Sequence, residues 1–298
     1  MEPSTLIFGC GYVGRRVAHR LRSGGQTVYT LTRSPQRAAA FAADGFVPVI
    51  GDWLRPSTLR NLPRSPVALV AVGRDPGTRI DFHHWYVDGL RHALDALDPS
   101  TRIVYLSSTG VYHQDGDQWV DENSPCRPRR GGGAAHLAAE ALLRSRRPRG
   151  GAAILRLAGI YGPGRLPRIA DIRRGLPLAV GSDGYVNLIH ADDAAAATAS
   201  AILRPPPERL YAVADGHPVR RRMFYQAVAA LIGAPSPSFA DAAPAGRLPV
   251  AAQRRGENSK RIWNRRMLRD LLPHLQYPDY RSGLRQALRE HPPSTADD

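Results

Sequence analysis

The hexapeptide Gly9-Cys10-Gly11-Tyr12-Val13-Gly14 is the densest piece of chemistry in the chain. Three glycines at this spacing, between a strand and a helix, suit a diphosphate. The first permits a tight turn, the second lets backbone amides approach a pyrophosphate, and the third lets the helix lie against the sheet. The helix N-terminus then offers unpaired N–H groups and a partial positive charge to the phosphates. One strand further on stands Thr32-Arg33-Ser34. An acidic side chain there would hold the ribose 2′-hydroxyl of NAD. Arg33, helped by the hydroxyls of Thr32 and Ser34, suits the 2′-phosphate of NADP instead. NADP is therefore the expected cofactor, with NAD as the alternative. Asp52-Trp53 and Ala71-Val72-Gly73 follow later strands and are expected to meet the adenine and to pass beneath the cofactor. A proton-transfer pair is harder to find. Lys260 is the only lysine, and Gly256 stands four residues before it, so no Tyr-x-x-x-Lys pair exists.

The elements that must position these residues alternate. Residues 5–8 form a short apolar strand. Val13, Val17 and Leu21 then share one helix face, and Ser23-Gly24-Gly25 ends that helix. Residues 27–31 are β-branched, and further apolar runs fall at 47–50, 67–72, 103–106 and 153–157, with helical spacing over 82–97 and 134–144. Continuous apolar strands joined by helices predict a parallel sheet covered on both faces. The fold class expected is α/β, a doubly wound parallel sheet (Rossmann) with a smaller C-terminal substrate-binding cap. Residues 1–158 are assigned to the nucleotide-binding part, with 185–204 returning to it through an Ala-rich helix at 192–203. Residues 159–184 and 205–290 are assigned to the cap, with helices near 221–232 and 261–271, and 291–298 to a disordered polar tail.

Composition narrows the partners. Lys and Arg total 41 against 26 Asp and Glu, for a net charge of +15, and all but Lys260 are arginine. Such charge suits nucleic acid, anionic membrane or phosphorylated ligands. No helix-turn-helix, zinc-finger or RNP pattern accompanies it, so no specific nucleic acid is expected. No apolar run approaches the ~18–20 residues of a membrane span. Cys10 and Cys126 have no metal-ligand or disulfide spacing, His83-His84 has no acidic partner at metal spacing, and no metal is expected. A soluble cytoplasmic protein, monomeric or homodimeric, is the simplest reading. Ser107 and Ser108 lie outside a Gly-x-Ser-x-Gly elbow, which argues against a hydrolase triad.

Several segments in order resemble one family. Residues 105–112 (YLSSTGVY), 120–125 (VDENSP), 155–164 (LRLAGIYGPG) and 187–193 (NLIHADD) are similar to stretches of the extended short-chain dehydrogenases/reductases, nucleotide-sugar epimerases and dehydratases among them. Those enzymes use a Ser, a Tyr, a Lys and an upstream Asn. The resemblance implies Ser108 at the Ser position, Gly132 at the Tyr position, His136 at the Lys position and Asp88 where Asn is usual. That pattern resembles the atypical branch, whose members frequently lack the Tyr–Lys pair. Gly132 offers no proton. His136 is left to bind ribose hydroxyls, to act as an acid/base, or to remain a solvated helix residue. The resemblance also implies that Tyr112 and Tyr161 flank the nicotinamide, as substitute donors or as packing residues. His190 is expected to link the two parts by hydrogen bonds. Arg165, Asn187 and cap arginines (Arg220, Arg221, Arg261) are candidates for an anionic substrate group.

Two functions follow. One is an NAD(P)-dependent epimerase/dehydratase-like or reductase-like protein that moves hydride to or from a small hydroxylated, nucleotide-sugar-like substrate. The other is a non-catalytic NADP(H)-binding sensor or partner-binding protein.

Overall fold

The computed structural model describes residues 3–75, 77–148, 150–178, 180–239 and 259–290; the tail expected at 291–298 lies outside them. Strand β1 (Ser4–Phe8) is buried along its whole length, and strands covered on both faces pair in parallel through helical crossovers. Here β1 lies between β2 (Thr27–Thr32) and β4 (Val67–Val70). Beyond β2 comes β3 (Val47–Ile50), and beyond β4 come β5 (Arg102–Ser108), β7 (Ala152–Leu157) and β11 (Leu210–Val213). Every adjacent pair in this seven-stranded sheet is parallel. The order reverses between β1 and β4, and a crevice opens at such a point beyond the strand carboxyl ends.

Alternate strand residues feed two apolar layers. Leu6, Phe8, Val70 and Tyr105 pack with helices α3 (Gly89–Ala96) and α4 (Gly131–Arg146). Ile7, Leu69, Val104 and Leu155 pack on the other face with α1 (Tyr12–Ser23) and α6 (Ala191–Leu203). Helix α1 buries Val13, Val17, Ala18 and Leu21. At about 1.5–3 kcal/mol for each large apolar side chain, that stripe outweighs the roughly 1 kcal/mol that Gly14 costs the helix. Arg20 and Arg22 occupy its last turn, where cations oppose the helix dipole. The chain then turns at Gly25, φ +82°. The run of buried alanines in α6 brings that helix close against α1.

The cap has its own core, including Tyr161, Ile172, Phe224, Tyr225, Val228, Tyr280 and Leu284. Two assignments differ from the sequence reading. Strand β11, placed there with the cap, is the edge strand of the main sheet. The helix expected over 261–271 is instead strand β13 (Lys260–Ile262) followed by a shorter helix, Arg265–Asp270. Lys260 and Ile262 point inward and Arg261 is half-exposed, a period of two. β13 pairs in parallel with β6 (Gln118–Val120), and β9 (Tyr185–Val186) pairs with β12 (Val219–Arg220). Across these strands runs a ladder of planar groups. The Arg261 guanidinium lies 4.9 Å from the Trp119 ring centre and 5.4 Å from that of Tyr185, and Arg220 lies 4.3 Å from Tyr185. Trp263 stacks on Trp119 at 4.0 Å, and Arg265 covers Trp263 at 3.9 Å.

Candidate functional site

The glycines of the first loop do three different things. Gly9 has φ +90°, and a Cβ there would lie 2.6 Å from the backbone of Ala71 and Val72, so the loop is pressed onto the end of β4. A Cβ at Gly14 would meet the Gly9 carbonyl at 2.3 Å, which makes Gly14 a packing residue. Gly11 has no atom within 4 Å of its Cβ position and faces open space. The first turn of α1 has no side-chain cap and no acidic residue. Open space above uncapped amides is what a diphosphate requires, so these residues fit a dinucleotide.

A cleft of about 740 Å³ lies at the strand-order reversal. Gly9, Cys10, Gly11, Tyr12 and Val13 line it, as do Thr32, Arg33, Asp52, Trp53, Ala71, Val72 and Gly73. The structure therefore gathers nearly all the proposed cofactor residues in one cavity. Ser34 and Gly14 are not on its wall. Ser34 caps helix α2 (Pro35–Ala43), accepting from the Arg37 N–H at 3.3 Å. Arg37 itself lines the cleft beside Arg33, and both are exposed. Sequence reasoning missed Arg37; the signal was the cap-proline pair Ser34-Pro35, which starts a helix and puts Arg37 in its first turn. Cys10 is buried, which pushes its thiol up to about 12 and leaves it unreactive.

At the other end of the cleft stand Ser108 and His136. The Ser108 hydroxyl accepts the Gly110 N–H at 3.0 Å. His136 lies 2.9 Å through Nδ1 from the Tyr105 hydroxyl, and its ring packs on Tyr86 at 4.2 Å. Burial pushes the imidazole down to about 4 and holds the Tyr105 phenol protonated. The pair suits a neutral imidazole that accepts at Nδ1 and carries its proton on Nε2. Beneath them, Glu140 accepts from Ser107 (2.7 Å) and from both Nε (2.9 Å) and a terminal nitrogen (2.7 Å) of Arg156.

The Phe82 ring packs against the glycines that open α4. A Cβ on Gly132 would approach the Phe82 ring at 3.3 Å, and one on Gly131 at 3.1 Å. The Arg74 guanidinium lies 4.4 Å from the same ring centre. A Cβ on Gly133 would meet the Gly110 carbonyl at 2.3 Å, so α4 reaches the Ser108 loop only as glycine.

Four of the proposed catalytic and substrate-binding residues stand off the cleft wall. Tyr112 is sealed in the core, its ring 4.9 Å from the Arg156 guanidinium. Tyr161 is fully buried and donates to the Asp279 carbonyl at 3.3 Å. Burial raises both phenols far beyond an acid's useful range. Asp88 is held by His84 at 3.0 Å and by Arg91, and those partners keep its carboxyl below the ordinary range. Asn187 donates to the Lys260 carbonyl and accepts the Ile262 N–H, at 2.9 and 2.8 Å, so it stitches β13 in place. Lys260 is buried and donates to the Tyr112 carbonyl at 3.2 Å. His190, the N-cap of α6, bonds to Gln286 at 3.0 Å and so ties the start of α6 to the C-terminal helix Tyr280–Glu290. Among the described residues no group of three or more His, Cys, Asp or Glu is placed to hold a metal.

A glycine-rich strand-to-helix turn over a crevice, with a serine at the end of the fifth strand, defines a nucleotide-binding doubly wound α/β fold. The sequence profile of the NAD dependent epimerase/dehydratase family matches residues 5–214, and the chain belongs to that family. Protein YeeZ of Escherichia coli K12 is 32% identical over 179 residues, 60% of this chain and 59% of that protein. The match thus spans less than two thirds of that relative's length. An epimerase/dehydratase-family protein of Methylobacillus flagellatus has 33% identity and a TM-score of 0.76, covering 97% of this chain and 98% of its own. UDP-glucose 4-epimerase of Bifidobacterium longum, solved with NAD+ and UDP, shares the fold at a TM-score of 0.73 and 15% identity, covering 97% of this chain and 99% of that one.

Proposed function

We propose that this chain binds NADP(H) in the cleft and transfers hydride between its nicotinamide and a small hydroxylated substrate. The nucleotide-sugar class is suggested by the fold it shares with the Bifidobacterium epimerase. One observation carries the cofactor reading: Arg33 and Arg37 lie on the cleft wall at the end of β2, and neither side chain makes an ion pair or hydrogen bond among the described residues. Two free guanidiniums suit a 2′-phosphate, and a charge-assisted bond contributes about 1.5–3 kcal/mol. NADPH is expected to bind about tenfold or more tighter than NADH. The double substitution R33A/R37A should erase that preference in a calorimetric titration. Equal affinity of the native chain for both coenzymes would remove the NADP assignment.

When bound, NADP(H) would supply or accept hydride at its nicotinamide. The chain's own residues hold what surrounds it. Ser108 holds the substrate oxygen. His136, neutral near pH 7, would hold a ribose hydroxyl through Nε2 and would not act as an acid. A second reading, an NADP(H)-binding protein without turnover, is favoured by Phe82 packing against Gly132, where the resemblance implies the tyrosine position. NADPH oxidation with a panel of carbonyl compounds, abolished by S108A, would favour the enzyme; tight binding with no oxidation would favour the second reading.

A further inference from the structure

Besides Arg33 and Arg37, one more guanidinium on the cleft wall makes no hydrogen bond or ion pair among the described residues. Arg74 also lines the cleft, but it donates to the carbonyls of Thr78 and Ile80. Arg165 has no hydrogen bond or ion pair through its side chain among the described residues. It ends a strap, residues 162–165, that leaves β8 (Gly159–Tyr161) and returns to the glycine loop. The strap is fastened there: the Tyr12 hydroxyl donates to the Pro163 carbonyl at 2.9 Å. The backbones of Gly162 and Arg165 bond in both directions, at 3.2 and 2.9 Å. The approach is so close that a Cβ on Gly162 would lie 2.8 Å from the Tyr12 hydroxyl. The Arg165 guanidinium lies 5.3 Å from the centre of the Tyr12 ring, and Tyr12 opens α1.

The charge around that turn is otherwise committed. Arg15 is paired with Asp44 at 2.7 Å, and Arg16 with Asp192 at 3.0 Å. The helix terminus supplies only about half an elementary charge, while a diphosphate carries about two. Arg165, which has no ion-pair partner among the described residues, lies over the Tyr12 ring and lines the same cleft as Gly11. We propose that Arg165 clamps the cofactor diphosphate from the strap, and that it is a cofactor residue, not the substrate-anion residue its sequence position suggested. The proposal rests on the dinucleotide reading above. A planar fork stacked on Tyr12 is oriented before the ligand arrives, which lowers the ordering cost of binding.

The test is calorimetry on the full chain with three probes: NADPH, 2′-phospho-ADP-ribose and adenosine 2′-monophosphate. The first two contain the diphosphate and the third does not. R165A should weaken the first two by about tenfold or more and leave the third and the melting temperature unchanged, with R165K recovering part of the loss. Native affinity of R165A for NADPH, or an equal loss for all three probes, would overturn the clamp while the dinucleotide reading stands. A native chain that binds no NADPH would sink both.

Discussion

Glycines 9 and 11 look interchangeable as letters, yet the structure gives them opposite sensitivities. Gly9 is strained for any other residue, since its φ is +90° and backbone lies 2.6 Å from a Cβ. Gly9→Ala should therefore cost roughly 3 kcal/mol in a urea melt. Gly11 has open space and an ordinary negative φ of −94°. Gly11 is the N-cap of α1, so Gly11→Val should cost only about 1 kcal/mol, well below Gly9→Ala, and abolish dinucleotide binding, because the side chain would occupy the phosphate position. A loss of stability with binding intact would contradict this division. The glycine loop and Arg33 were legible in the sequence because a local motif carries them. Phe82 was not: it acts on Gly131 and Gly132 across a long stretch of chain, and nothing in the local pattern marks that contact. Tyr112 and Tyr161 misled for the same reason. Their positions after strands suggested exposure at the cleft, whereas the cap and the Arg156 network enclose them.

Three elements of the nucleotide-binding part meet at one buried carboxylate. Glu140, on α4, accepts from Ser107 on β5 and Arg156 on β7, and Arg144 reaches it at 3.3 Å. It is fully buried and Arg156 nearly so. Removing one partner of a buried pair leaves the other charge uncompensated, at about 3–5 kcal/mol. Glu140→Gln should lose about that much in chemical denaturation and loosen the floor under Ser108; a change below about 1 kcal/mol would show that water reaches the pair. The strands of the main sheet were legible because each is a continuous apolar run. β13 was not, because its partner β6 lies far back in the chain and the segment that follows it has helical spacing. Only the alternation of Lys260, Arg261 and Ile262 hinted at a strand.

On the scale of the whole molecule, part of the +15 charge is structural, since arginines tie α1 to Asp44 and Asp192 and the sheet to α4. Among the described residues no helix is long and apolar enough to cross a membrane. Three carboxyl groups, Asp215, Asp193 and Asp279, gather where the end of the sheet meets the C-terminal helix. Asp215 follows β11, is buried, and accepts the His217 N–H at 2.9 Å. Burial first, then the charges of Asp279 and Asp193, push its carboxyl up to about 8; Tyr161 faces the same group. Asp193, for its part, accepts the N–H groups of Gln276 and Tyr277, at 2.8 and 3.0 Å. A carboxyl that keeps its proton folded but loses it unfolded binds more protons in the native state between its ordinary value near 3.8 and about 8. Stability therefore falls as pH rises through that window. Asp215→Asn keeps the acceptor for His217 and removes the charge. It should melt several degrees above the native chain at pH ~9 and approach it near pH ~4; a pH-independent difference would contradict the assignment.

The central claim is that the crevice between β1 and β4 holds a 2′-phosphorylated pyridine dinucleotide. Titration of NADPH and NADH into the native chain and into Gly11→Val tests it most directly. The account predicts saturable heat with the native chain, stronger for NADPH, and none with the variant. No heat with either coenzyme, or undiminished binding by Gly11→Val, would contradict it.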